Sequence, residues 1–530
     1  MLTYSTRRVH CCGRDWQVPQ VRRRRAVAPL PLDRRAALPG PTFSFPPSLE
    51  ANVPSPTATC CSSAASIAEN VPAVDLPLWR RWTVTLLSVT LTFLVSSVST
   101  SYSSSSKALE EYLHTSSTLV NLGLVTYVLG CALAPMVLAP CSEVFGRYRI
   151  LVGSAIVWTI SLLPQALAPH ISVVIVFRFV AGCAAAGGST LVGGTVADLW
   201  PAEQRGLPMA LFTLFAFLGT GAGPAYGGVV VERLGWRWLS WFQLVLCSVF
   251  TVVFSLATEE TRVVESAFRL PYNELGSLTL RTSSRKTQEP LLRLIKGCIA
   301  RPCKLLLHEP IVLAFSTWVG FSWVSPLQSP PNQQLTLLSR VSGIMYLSLE
   351  AVTAVLEEKY SFSVTQAGLA FLCASSGGVL AFALVFPQNR FYRKHHARLG
   401  PEARLPIALL GSLLLPGGIT LFAFSQGRTH VAVSLVGVVL FFSGISMTYS
   451  AATTYLADAF ESHASSALAA VSLLRNLGGT AFPLFCPALY NALGYQWASF
   501  AAACAGFLLA VIPWVLLFRG NRLRKAGQPV

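Results

Sequence analysis

"FLGTGAGPAYGGVVVERLGWRW", residues 217–238, lies in one of the most apolar parts of a 530-residue chain. Gly219, Gly221, Gly223, Pro224, Gly227 and Gly228 fall within ten of its positions. In a water-soluble helix each glycine costs about 1 kcal/mol against alanine, and an interior proline about 3. Close helix packing offsets that cost. Gly219, Gly223 and Gly227 recur every four residues, a tandem small-xxx-small face that lets a second helix approach closely. Pro224 removes one backbone hydrogen bond and favours a kink. The stretch reads as a packing seam in a membrane helix.

Composition extends this reading to the whole chain. Apolar residues make up 53% and charged residues 12%, against roughly 25% charged in an ordinary soluble protein. The charges cluster and leave long runs close to the roughly 20 residues that cross a bilayer. Such runs lie near 82–102, 117–139, 149–168, 171–196, 207–231, 236–257, 311–356 (interrupted), 364–387, 405–424, 429–456, 464–486 and 495–518. The expected fold is an all-α membrane protein of twelve transmembrane helices.

The net charge of +17 follows the same topology. With both termini in the cytoplasm, 32 of the 40 Lys and Arg fall on the inside and 5 on the outside, which is the positive-inside pattern. The basic balance therefore orients the chain and does not point to nucleic acid. Thirteen cysteines are scattered without a CxxC pair or a His/Cys cluster at zinc spacing, so no metal is expected. There is no GxSxG, P-loop or HExxH, which leaves a membrane hydrolase or an ATP-driven pump without support. No enzyme activity and no cofactor are expected.

Residues 1–78, rich in Arg, Pro, Ser and Ala without sustained periodicity, read as a disordered cytoplasmic tail. A polar, basic linker at 258–310 separates a six-helix half at 79–257 from a second at 311–518, and 519–530 form a cytoplasmic C-terminus. The halves repeat. At an offset of 259, Leu218-Gly219 falls on Leu477-Gly478, Pro224 on Pro483, Leu234-Gly235 on Leu493-Gly494 and Trp238 on Trp497. The repeats fall in the fifth and eleventh spans, so both halves run in the same direction. That is the parallel relation between the halves of a major facilitator.

At these residues the chain resembles the major facilitator superfamily, and within it the fungal twelve-span drug:proton antiporters. "GTGAGPAYGG" is similar to that group's antiporter motif on the fifth span, comprising Gly219, Gly223, Pro224, Gly227 and Gly228 here. "APCSEVFGRYRIL" (139–151) resembles the loop motif between spans two and three, "RFVAGCAAAG" (178–187) the fourth-span motif, and "PEARLP" (401–406) a C-half segment. The resemblance implies a secondary transporter that exports small amphipathic organic compounds in exchange for protons. It also implies a monomer in the lipid bilayer, in the plasma membrane rather than the vacuolar membrane. Its partners are a small-molecule substrate and protons, with no nucleic acid. A facilitator of polyamines or of one endogenous metabolite, and a transporter-like receptor that does not translocate, stay open as alternatives.

Several residues carry the expected chemistry. Arg178 sits inside an apolar span, where a charge is expensive and functional by default; the resemblance implies that it takes part in proton coupling or holds a water-filled cavity open, and the alternative is a tie to the carbonyls of neighbouring spans. Glu350, late in the seventh span, is the acidic candidate for proton exchange, since an apolar setting raises a carboxyl pKa. Glu143, Gly146, Arg147 and Asp198 fall at the cytoplasmic membrane surface, with Asp458 at the position related by the repeat, and their signs suit an inner gate. Tyr102, Tyr127, Trp318, Tyr346 and Tyr449 lie on spans expected to line a substrate cavity, where aromatic faces hold planar or cationic compounds.

The seventh span is interrupted by "VSPLQSPPNQQLTLLSRVS", residues 324–342, with three prolines and Arg340. Without these 19 residues, 311–323 and 343–356 join into 27, enough to cross with some tilt. Their 19 codons make 57 nucleotides, and Val-Ser can be encoded by the GTGAGT of a splice donor. The segment is expected to be a retained intron in the gene model.

Overall fold

The computed structural model describes residues 5–11, 14–20, 77–258, 310–321, 352, 355–460 and 464–518; at some of these, among them 143–145, 318 and 481–491, it describes the backbone alone. Ser5–Cys11 and Arg14–Gln20 pair as an antiparallel hairpin with Val9 opposite Trp16 and Arg7 opposite Val18. The pair lies within residues 1–78, the stretch expected to form a disordered cytoplasmic tail. The strands carry β-branched and aromatic residues, and a glycine lies in the short link between them, a composition that favours hairpins. The hairpin belongs to the first of two units of the chain, and the helices to the second.

Among the described residues of the second unit, ten helices are long and apolar enough to cross a membrane. They are Leu78–Leu113, Ser117–Ser142, Arg147–Ala166, Ile171–Leu199, Gly206–Leu234 and Trp236–Ala257 in the first half. Val364–His396, Pro406–Ser425, Val431–Ala459 and Ala492–Phe518 follow in the second. These occupy the positions of spans one to six, eight to ten, and twelve. A helix at Pro310–Phe321 begins where the seventh span was expected. The helix Ala464–Leu509 contains the eleventh span and turns at Gly494 into the twelfth. The suspected insertion 324–342, together with Tyr346 and Glu350, lies outside the described residues.

Outward faces are apolar, as lipid requires. Val245, Val249 and Leu256 on the sixth span and Leu508, Val511 and Phe518 on the twelfth are all more than half exposed. Exposure of that kind would be a liability in water and is solvation in hydrocarbon.

The fifth span, Gly206–Leu234, runs as one helix through Pro224 and packs on two neighbours. A Cβ added at Gly219 or Gly223 would come closer than 3.0 Å to the backbone carbonyl oxygen of Phe93 or Ser97 on the first span, and Gly227 faces Ser101. The four-residue stripe therefore seats a helix of its own half. The intervening glycines face the other half. A Cβ at Gly221 would lie 2.6 Å from Phe371 O, and one at Gly228 2.8 Å from Val364 O, both at the start of the eighth span. Gly368 reciprocates against the Pro224 carbonyl. One glycine-rich helix thus contacts both halves of the protein at backbone distance.

The repeat is visible in the backbone. Gly235 (φ 90°) and Gly494 (φ 74°) occupy the same place in the two halves, each joining the last two spans of its half.

Candidate functional site

Two acid–base clusters stand at one end of the bundle. In the first half the second helical stretch ends at Gly146, whose φ of 96° suits a glycine and lets the chain turn directly into the third span. Arg147 is thereby buried at the first position of that span. It donates from Nε to Asp198 Oδ2 at 2.8 Å and from Nη1 to Ser142 Oγ at 2.8 Å. Asp198, near the end of the fourth span, keeps about a quarter of its side chain exposed. Glu143 lies in the same turn, and its side chain is outside the described residues.

The second cluster is buried and spans the two halves. Asp458 ends the tenth span and accepts from Arg205 Nη1 at 2.9 Å on Oδ1 and from Arg404 Nε at 3.0 Å on Oδ2. Tyr392 adds its hydroxyl to Oδ2 at 3.1 Å and lays its ring under the Arg404 guanidinium, 3.4 Å from the centroid. Arg205 belongs to the first half and also holds the carbonyls of Ala197 and Ala457 at 2.9 Å, which close the ends of the fourth and tenth spans. Arg404 belongs to the second half and reaches back to Ala202 O at 2.7 Å. Each arginine therefore crosses the seam, with a carboxylate that is 2% exposed between them. A buried carboxylate with two guanidiniums is tolerable only when assembled; removing one partner leaves an uncompensated charge.

The opposite end is joined by weaker contacts. Lys107 pairs with Glu357, with the lysine two-thirds exposed, and Thr365 N donates to Glu232 Oε2 at 3.0 Å. Exposed pairs of this kind contribute about 0–1 kcal/mol.

Between the ends lies a cavity of about 70 Å³. Its aromatic walls are Phe212, Phe217 and Tyr449, and its hydroxyls come from Thr92, Ser96, Ser189 and Thr220. Among the described residues lining it, Arg475 is the one charged side chain. The fourth span passes the cavity as a π-helical turn, Gly187–Leu191, which carries Ser189 to its wall; such turns recur at functional sites. Arg475 donates to Asn476 Oδ1 at 3.3 Å and Ser472 Oγ at 3.2 Å, and its guanidinium lies 5.1 Å from the Tyr449 ring centroid. The same helix stretch is tied across the seam, Ser472 to Thr190 at 3.2 Å and Asn476 Nδ2 to Cys131 O at 3.0 Å.

Arg178 sits apart from this cavity. Its Nε donates to Gly123 O at 3.1 Å and its Nη2 to Ser99 O at 3.4 Å. The guanidinium lies 4.0 Å from the Tyr102 ring and 4.8 Å from the Tyr127 ring. The geometry is that of a tie between the first, second and fourth spans.

The structure thus sorts the expected residues. Arg147 and Asp198 meet, and Asp458 stands in the related place. Tyr449 lines the cavity. Tyr102 and Tyr127 both lie against the Arg178 guanidinium, and Tyr102 lines a smaller cavity together with it. Trp318 lies in the described helix Pro310–Phe321 without a described side chain. Arg205, Arg404, Tyr392 and Arg475 went unrecognised in the sequence. The repeat held a signal for Arg404: the offset that carries Asp198 onto Asp458 brings Arg147 within three residues of it. An arginine inside the eleventh span was the signal for Arg475. Neither signal named a partner.

Comparison with known proteins agrees with this geometry. The family model of the Major Facilitator Superfamily matches residues 86–483. The chain is 31% identical over 456 residues to the MFS-type efflux pump MFS2 of Trichophyton rubrum, covering 84% of this chain and 73% of that one. It is 31% identical over 462 residues to the efflux pump radE of Floropilus chiversii, covering 84% and 82%. Among solved structures, the proton:xylose symporter XylE aligns with a TM-score of 0.57 at 16% identity, over 82% of this chain and 96% of that one. The human organic anion transporter MFSD10 aligns at 0.53 and 16%, over 83% and 100%. These two share the fold. The chain is a multi-pass membrane transporter, not an enzyme, and belongs to the Major Facilitator Superfamily, alongside its fungal efflux pumps.

Proposed function

We propose that this protein exports small amphipathic organic compounds in exchange for protons. The observation that carries the reading is the cavity at the seam, walled by Phe212, Phe217 and Tyr449, with the Arg205–Asp458–Arg404 latch joining the halves at one end of the bundle. A cavity between two halves with charge latches at an end suits alternating access, in which the halves rock around a central site. The efflux activity in the names of the fungal relatives supports the outward direction.

The latch end faces the cytoplasm in this reading, because the basic segments collect there. Both termini then lie inside, the working unit is a monomer, and the plasma membrane is its site. The buried latch makes the described conformation the one closed to the cytoplasm. Glu350 is the proton-exchanging carboxylate, and Arg178 supports coupling by holding the first, second and fourth spans in register.

The test uses inside-out vesicles from a pump-deficient yeast expressing the chain, with fluorescent amphiphiles as probes. Uptake should require an imposed proton gradient and collapse on addition of a protonophore. Uptake that is indifferent to the protonophore overturns proton exchange in favour of facilitated diffusion.

A further inference from the structure

We infer that the outer face of the eighth span, at the latch end of the bundle, binds the headgroups of anionic phospholipids through Arg390, Arg393 and Lys394. The helix Leu372–Leu399 runs on through Pro387 without a break. Leu372, Val379 and Phe386 recur along it every seven residues, one side of a helix, and are 45–51% exposed. The next member of that series is Arg393, with Arg390 and Lys394 within one turn of the same side, and all three are exposed. None of the three forms an ion pair with a described residue.

The other side of the same turns is committed to the latch. Gln388 donates from Nε2 to Ala403 O at 2.7 Å, Asn389 Oδ1 accepts from Arg404 Nη1 at 3.2 Å, and Tyr392 holds Asp458. The three cations stand instead on the side that the apolar series gives to lipid. Position and charge together choose the occupant. The layer that follows the hydrocarbon is the headgroup layer, about 5–7 Å deep on each side of the bilayer. Arg390 and Arg393 follow Phe386 by about 6 and 10 Å at 1.5 Å per residue, and long basic side chains reach back to that layer along their apolar stems. A phosphatidylcholine headgroup offers them no net charge, whereas phosphatidylserine offers a negative one. The 258–310 segment of the same chain is no match, because its nine Lys and Arg outnumber its six Glu. A headgroup docked here rests on the turns that carry the latch.

The test titrates the full chain in detergent with phosphatidylserine or phosphatidylcholine and reads bound lipid by native mass spectrometry. Each Lys or Arg near an anionic surface adds about fivefold to the attraction, so wild type should bind phosphatidylserine about tenfold to a hundredfold more tightly. The triple variant Arg390→Gln, Arg393→Gln, Lys394→Gln should lose that preference and keep its phosphatidylcholine binding. The control variant Lys359→Gln, Arg428→Gln removes two exposed cations at the opposite end and should keep the preference. Glycerophosphoserine, the headgroup without its chains, should not compete at matched concentration.

Equal affinity of wild type for the two lipids overturns the inference, and so does a preference that survives the triple variant. Loss of the preference in the control variant would mean that net charge alone is read. Full competition by glycerophosphoserine would give the site to a soluble anion. Either result also overturns the inference. The wild-type comparison decides even if a variant fails to elute as a monodisperse peak. Transport plays no part in the readout, so the exporter reading stands or falls separately.

Discussion

Arg205 reaches across the seam between the halves and donates to Asp458 at 2.9 Å, with both side chains almost fully buried. The pair is 253 residues apart in sequence and is completed by Arg404 on the other carboxylate oxygen. Its removal should therefore change the position of the halves more than the integrity of either.

Asp458→Asn should open the latch end. The amide leaves two buried guanidiniums facing a neutral group, and breaking a buried pair costs about 3–5 kcal/mol. Maleimide labelling of a single cysteine introduced at Ala202, in a cysteine-free background, should rise strongly in the variant. Unchanged labelling would mean that the cluster is structural in every state.

Arg147 and Asp198 should behave as one unit. Arg147→Ala should impair transport with surface expression largely kept, and Asp198→Asn should add little on that background. For residues in direct contact the interaction is about 0.5–3 kcal/mol. The partial exposure of Asp198 places the expected value in the lower part of that range. Additive losses in the double-mutant cycle would count against the pair.

The glycines of the fifth span should not tolerate a methyl group. Gly223→Ala meets the Ser97 carbonyl below 3.0 Å, and overpacking of this kind costs about 1–3 kcal/mol. Gly153→Ala on the third span meets nothing within 4 Å and should stabilise by up to about 1 kcal/mol. Thermal inactivation of the two variants in detergent should move in opposite directions.

Arg178 and Glu350 should separate stability from coupling. Arg178→Ala loses charge-assisted bonds to two carbonyls, each about 1.5–3 kcal/mol, together with its stacking on two tyrosines. Its melting temperature should fall. Glu350→Gln should leave the melting temperature in place and remove the dependence of uptake on the proton gradient. Coupling that persists in Glu350→Gln would assign the proton to another group.

Mature message should lack the codons for residues 324–342, and a chain without them should transport. Reverse transcription and sequencing across the segment decides this. An active transporter whose message retains all 57 nucleotides would refute the retained intron.

The sequence alone marked the spans that the structure describes, their parallel repeat and the end of the bundle where Arg147, Asp198 and Asp458 collect. Apolar runs and charge clusters record local free energies of burial, and those survive in one dimension. It also fixed the Gly219–Gly223–Gly227 face, since a four-residue period marks one side of a helix. It did not say what that side meets. Only the tertiary structure assigned this stripe to the first span and Gly221 and Gly228 to the eighth. In the same way, the sequence placed Asp458 at the position the repeat relates to Asp198, while the fold chose Arg205 and Arg404 as its partners. The sequence named no partner for Tyr102 and Tyr127, and the fold set both against Arg178; it also put Arg475 at the cavity wall. Periodicity gives the direction of a side chain from its own helix axis. Which helix stands in that direction depends on the packing of all the spans together.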